Sequence, residues 1–195
     1  MTPILNWAAA ILAVATTVGV LLSHDWRWSL AYLAVQYGSV FWLVQTHWPM
    51  PMAAAKLVTG WMACAILGIT QSSIRSPADP ETSWPQGFLF RIFAATFALI
   101  VSFALATLAA PWLGVDLPIA WGGLILIGMG LLHLGITAQP FRVIVGILTF
   151  LSGFESLYAA VEGSLLVAAL LVVVNLGLAL AGAYLLITST VEETQ

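Results

Sequence analysis

Apolar residues run along this chain in stretches of about twenty, and residues 165–174 are apolar at every position. The stretches lack both the two-residue alternation of a half-buried strand and the single apolar stripe of a soluble helix. Crossing roughly 30 Å of hydrocarbon takes about 20 helical residues, each with its backbone polar groups satisfied inside the segment. Cutting the chain where turn chemistry appears predicts helices at 4–23, 26–46, 51–71, 87–110, 119–137, 140–160 and 164–188. The connections are His24-Asp25, Trp48-Pro49-Met50-Pro51, residues 72–86, residues 111–118, Ala138-Gln139-Pro140 and Glu162-Gly163, and their Pro, Gly and Asp content supports turns. A membrane β-barrel would need alternating apolar and polar positions, which these runs lack. The expected fold is therefore all-α: a polytopic transmembrane helical bundle of about seven helices, multi-pass in the cell inner (plasma) membrane.

Composition strengthens that reading. Of 195 residues, 62% are hydrophobic and 7% charged, against roughly a quarter charged in a soluble chain. The mean hydropathy of +1.05 is spread over the whole length, so a soluble domain behind one anchor is not expected. The first apolar segment has no basic region before it and no small-residue cleavage site after it, and reads as a retained helix. Cys64 is the single cysteine, which excludes a disulfide framework or a Cys-based metal site. The net charge of −3 comes without a basic cluster, so nucleic-acid binding is not expected.

Five cations set the expected orientation, because Lys and Arg beside membrane helices stay on the cytoplasmic side. Arg27, Arg75 with Arg91, and Arg142 fall in or beside connections on one side, whereas Lys56 enters from the other. The N-terminus is expected outside and the C-terminus in the cytoplasm. Tryptophans suit these boundaries, with Trp26, Trp28 and Trp84 at one interface and Trp7, Trp48, Trp112 and Trp121 at the other.

With so few charges, each polar group inside a helix is a candidate for function, since a central charge costs about 2.5–3.5 kcal/mol to insert. Glu155 is the leading candidate. It lies 13 residues after Arg142, about 20 Å along the helix, and if buried it would be protonated or paired, as a proton-loading group must be. The plainer reading is a carboxylate that reaches headgroup water or fixes a neighbouring helix. Lys56 enters from the same side to a comparable depth and would pair with Glu155 if their helices touch; snorkelling to the interface is the alternative. Asn175, Gln36 and His133 are each explained by interhelical hydrogen bonds, with Asn175 and His133 as further candidates for a proton path. His24 lies in a turn, so a bis-histidine haem is not expected. Asp116, Asp79, Glu81 and Glu162 belong to connections. Gly60, Gly68, Gly122, Gly123, Gly128, Gly130, Gly135 and Gly182 mark close helix packing. No phosphate loop, nucleophile elbow, zinc motif or acidic dyad is present, so the chain does not look like an enzyme by itself and no cofactor is expected.

Within residues 119–187, the run Leu134 to Arg142, the following Val143-Ile144-Val145-Gly146-Ile147 and the carboxylate of Gly153-Phe154-Glu155 carry a family likeness. Here the chain resembles the small K subunit of respiratory complex I, with its relatives in Mrp-type antiporters and the membrane arm of group 4 hydrogenases. The resemblance implies that Glu155 belongs to a chain of buried charges conducting protons among membrane subunits. Two departures stand out: Glu155 lies further beyond the basic residue than is usual, and Asn175 occupies the third helix where the family has a second glutamate. The resemblance divides the chain into a four-helix N-terminal extension, residues 1–110, and a three-helix segment, residues 111–195. It implies a non-redox membrane subunit of a complex I-like or Mrp-like proton/cation-translocating assembly, with other integral membrane subunits and the lipid bilayer as partners. The competing expectation is a structural or assembly subunit with no transport chemistry of its own.

Overall fold

The computed structural model describes residues 2–74 and 87–192, with side chains from 3 to 188. Arg75, Asp79, Glu81 and Trp84 lie outside the described residues. Within them the chain forms seven helices and no strand: α1 (Thr2–Leu22), α2 (Trp26–Gln45), α3 (Met50–Ser73), α4 (Phe88–Leu113), α5 (Leu117–Ile136), α6 (Pro140–Val161) and α7 (Leu165–Glu192). Six are long and apolar enough to cross a membrane, all except α2. The helical bundle expected from the pattern of apolar runs is the fold observed.

The exception has a physical reason. Helix α2 has the length of its neighbours but packs among α1, α3 and α6, so much of its surface meets protein and that part need not be lipophilic. It accordingly carries buried Ser29, Gln36, Tyr37 and Ser39. At the other extreme, only 17% of the α4 span is buried, against 56% of α6. Outward-facing Phe93, Phe97, Ile100 and Leu108 make α4 lipid-compatible. A central cluster joins five helices through Val20, Leu33, Tyr37, Leu67, Leu148 and Ala179. Helices α1 and α4 pack on α5, α2 on α6, and α3 on α7, so the first four helices interlock with the last three.

Most helix ends fall within two residues of the turn chemistry. Helix α4 runs further, through Pro111 to Leu113, because proline in a last turn forfeits only one backbone bond. The stop comes at Gly114, whose φ of 67° is the left-handed conformation that releases the chain, while Val115 N–H donates to Ala110 O at 3.1 Å.

Close packing is concentrated where glycines face backbone. A Cβ on Gly153 of α6 would lie 2.6 Å from Gly123 O and 2.7 Å from Ile127 N, and one on Gly130 of α5 would lie 2.6 Å from Phe150 N. The α5–α6 interface therefore depends on missing side chains, as small-residue helix contacts in membranes do. Among the described residues nothing lies within 4 Å of a Cβ placed on Gly135, so no close helix approach depends on it there. Gly153→Ala is expected to destabilise the bundle by about 1–3 kcal/mol through overpacking, whereas Gly135→Ala stays neutral; unfolding of the purified protein in mixed micelles measures both.

Candidate functional site

Two helices that share little direct contact deliver the oppositely charged pair of the interior. Lys56 stands six positions after the start of α3 and Glu155 six before the end of α6. Each is thus about 9 Å from its helix end, on the same side of the bundle. Helix α3 packs chiefly on α2 and α7, and α6 on α5, α2 and α7. The Lys56 ammonium and Glu155 Oε2 form an ion pair across this gap, with Lys56 3% and Glu155 1% exposed. Burial of both ends excludes the snorkelling alternative for Lys56.

Tyr37 is the third member of the site, and it was not singled out by the sequence. Fully buried on α2, it presents its ring to the Lys56 ammonium at 5.1 Å from the centroid, a cation–π contact. Its hydroxyl donates to Asn175 Oδ1 of α7 at 3.1 Å. The ring lies flat against Gly60 of α3, where a Cβ would collide with it. Glycine at position 60 is thus what lets the tyrosine stand between α3 and α6. Lys56, Tyr37, Glu155 and Asn175 bring α3, α2, α6 and α7 together at one point.

Helix α6 supplies more than the carboxylate. Arg142, Thr149, Ser152, Glu155 and Ser156 recur at helical spacing and are all buried, forming one polar stripe on its inner side. Ser152 adjoins Tyr37 and donates to Leu148 O at 2.8 Å. Several buried polar atoms near the site lack a hydrogen-bond partner among the described residues: Glu155 Oε1, Ser156 Oγ, Thr149 Oγ1 and Asn175 Nδ2. Such groups are costly in a dry interior unless water or a ligand meets them.

The pair also borders a cavity of about 450 Å³ between α3 and α7. Its other walls are almost wholly apolar, with Met52, Ala55, Leu165, Ala168, Ala169 and Val172 among them. Trp48 stands at the outer end and donates from Nε1 to Glu162 O at 2.9 Å, tying the α2–α3 turn to the end of α6.

The remaining candidate, His133, belongs elsewhere. It is buried near the end of α5, where its ring lies against the Gly146 position of α6. That is nine residues from Glu155, or about 13 Å along the helix. Two arginines occupy the same end. Arg142 Nη2 donates to Ser23 O at 3.0 Å and Arg91 Nη1 to Leu21 O at 3.4 Å. Both guanidinium groups therefore meet the last turn of α1, where carbonyls lack helical partners and the helix dipole is negative. Sequence spacing used these arginines only as orientation markers; their capping role needed the packing of α4 and α6 on α1.

No family model matches the chain, and no curated protein or solved structure was found to be similar to it.

Removing one partner of the pair leaves an uncompensated buried charge, for which losses of about 3–5 kcal/mol are typical. Lys56→Met alone and Glu155→Met alone are each expected to destabilise by that order, and the double variant to recover most of the loss, as a denaturation double-mutant cycle would measure. Additive losses would mean that the two charges do not depend on one another.

Proposed function

We propose that this chain is a proton-handling membrane protein in which Glu155 loads and releases the proton and Lys56 holds its charge. The observation that carries the reading is the ion pair itself: two opposite charges, both buried, joining helices that share little direct contact. A protonated carboxyl would no longer bind the ammonium electrostatically, so each proton arriving at Glu155 loosens the bridge between α3 and α6. The charge change occurs in a medium where one unpaired charge costs about 2.5–3.5 kcal/mol. Proton occupancy is thereby coupled to helix arrangement, with Tyr37 and Asn175 positioned to follow any movement of Lys56.

The chain acts in this reading as a non-redox subunit of a larger proton- or cation-translocating membrane assembly, as its resemblance to the K subunit family implies. The broad exposed apolar faces of α4 and α7 support partner subunits as well as lipid. Its orientation is N-terminus out and C-terminus in, at the inner (plasma) membrane. Arg27, Arg91 and Arg142 all lie at the end of the bundle holding the α1 C-terminus, and Lys56 lies toward the opposite end.

Two measurements test the proposal. Proton translocation by the assembled system is expected to fall at least tenfold in Glu155→Gln, and a carboxyl infrared band that titrates in the wild-type protein is expected to be missing from the same variant. Undiminished translocation together with no titrating band at this residue would leave the pair a purely structural pin. For orientation, a membrane-impermeant maleimide applied to intact cells is expected to label Gly163→Cys and not His24→Cys; the reverse pattern would invert the topology.

A further inference from the structure

The cavity beside the ion pair has a one-sided chemistry. Ala55 of α3 and Leu165, Ala169 and Val173 of α7 are exposed on the outer surface while lining it, so it opens sideways between these two helices. At its inner end stand Lys56 and Glu155. Its volume of about 450 Å³ is within the usual span of small-molecule sites, roughly 300–1,000 Å³. The alanines at 55, 168 and 169 create the space, since larger apolar residues at those positions would fill it.

Three features define an occupant. The walls are apolar, so its body is apolar. The paired charges sum to zero, so a net-neutral molecule enters without leaving an excess buried charge. Glu155 Oε1 has no hydrogen-bond partner among the described residues, so the head that reaches the inner end must carry a donor. An ammonium has further N–H groups for an acceptor on the same head. We infer that this cavity is a binding site for a neutral single-chain amphiphile with a protic head, either an alcohol or a protonated carboxylic acid, entering laterally from the membrane. Its head donates to Glu155 Oε1 and accepts from Lys56, and its chain lies along α7 from Leu165 to Val173. The occupant needs the ion pair as a recognition element and does not need proton translocation, so the site stands independently of the function proposed above.

The test uses purified full-length protein in lipid nanodiscs and a hexadecanol bearing a photoreactive diazirine, with the corresponding hexadecane as the headless control. Saturable labelling is expected on residues 52–56 and 165–173, with the alkane labelling at least tenfold less. Ala169→Phe, which fills the cavity from an exposed position of α7, is expected to lower labelling about tenfold, as is the Lys56→Met, Glu155→Met double variant. Ala104→Phe, on the exposed surface of α4, is expected to leave it unchanged. Ala55→Phe blocks the cavity from the opposite wall and gives the same readout should the α7 variant misfold. Excess unlabelled hexadecanol or hexadecanoic acid competes, and whichever competes more strongly identifies the preferred head. Labelling that survives both cavity-filling variants, or that is equal for alcohol and alkane, would overturn the inference.

Discussion

A lysine and a glutamate facing one another in an apolar interior constrain everything around them. Neither charge tolerates that environment alone, and the bridge joins α3 and α6, which share little direct contact. The surrounding residues meet that demand. Gly60 removes a side chain so that Tyr37 can lie against α3, Tyr37 offers its ring to the ammonium, and Asn175 holds the phenol from α7. A protein surrounded by lipid gains little by burying apolar surface against apolar surface, so polar contacts of this kind and close glycine packing define its tertiary arrangement.

The opposite end of the bundle follows a second rule, the satisfaction of helix termini. Helix α1 stops at Leu22, and arginines from α4 and α6 reach its final carbonyls. Two guanidinium groups are thereby held at low exposure without being stranded, since planar donors suit carbonyl clusters. Among the described residues the buried Lys, Arg and Glu side chains thus lie in two separated places, one a carboxylate–ammonium pair and the other a cationic clamp on a helix dipole.

Length and apolar content made the helices and nearly all their limits legible, because the bilayer imposes one segment length on every span. Glu155 and Lys56 were legible as costly residues at matching depth. What joined them was not, since a helix that is apolar all round does not announce which face turns inward. Tyr37 illustrates this: an aromatic residue in mid-helix reads equally well as facing lipid or core, and only the approach of α3 and α7 gives its ring and hydroxyl their partners. The polar stripe of α6 was within reach, because Arg142, Thr149, Ser152 and Ser156 recur at helical spacing. His133 shared a polar character with the site but not a location, and no spacing within one helix reports the distance to another.

The low hydropathy of α2 has a consequence for assembly of the bundle. A segment less apolar than the other six helices, packed among α1, α3 and α6, depends on those neighbours to cover its polar side chains. Those side chains find shelter only once α1, α3, α6 and α7 have closed around them. The placement of α2 is therefore tied to helices on both sides of it in the chain, α1 and α3 beside it and α6 and α7 far along, where Ser152 and Asn175 meet Tyr37.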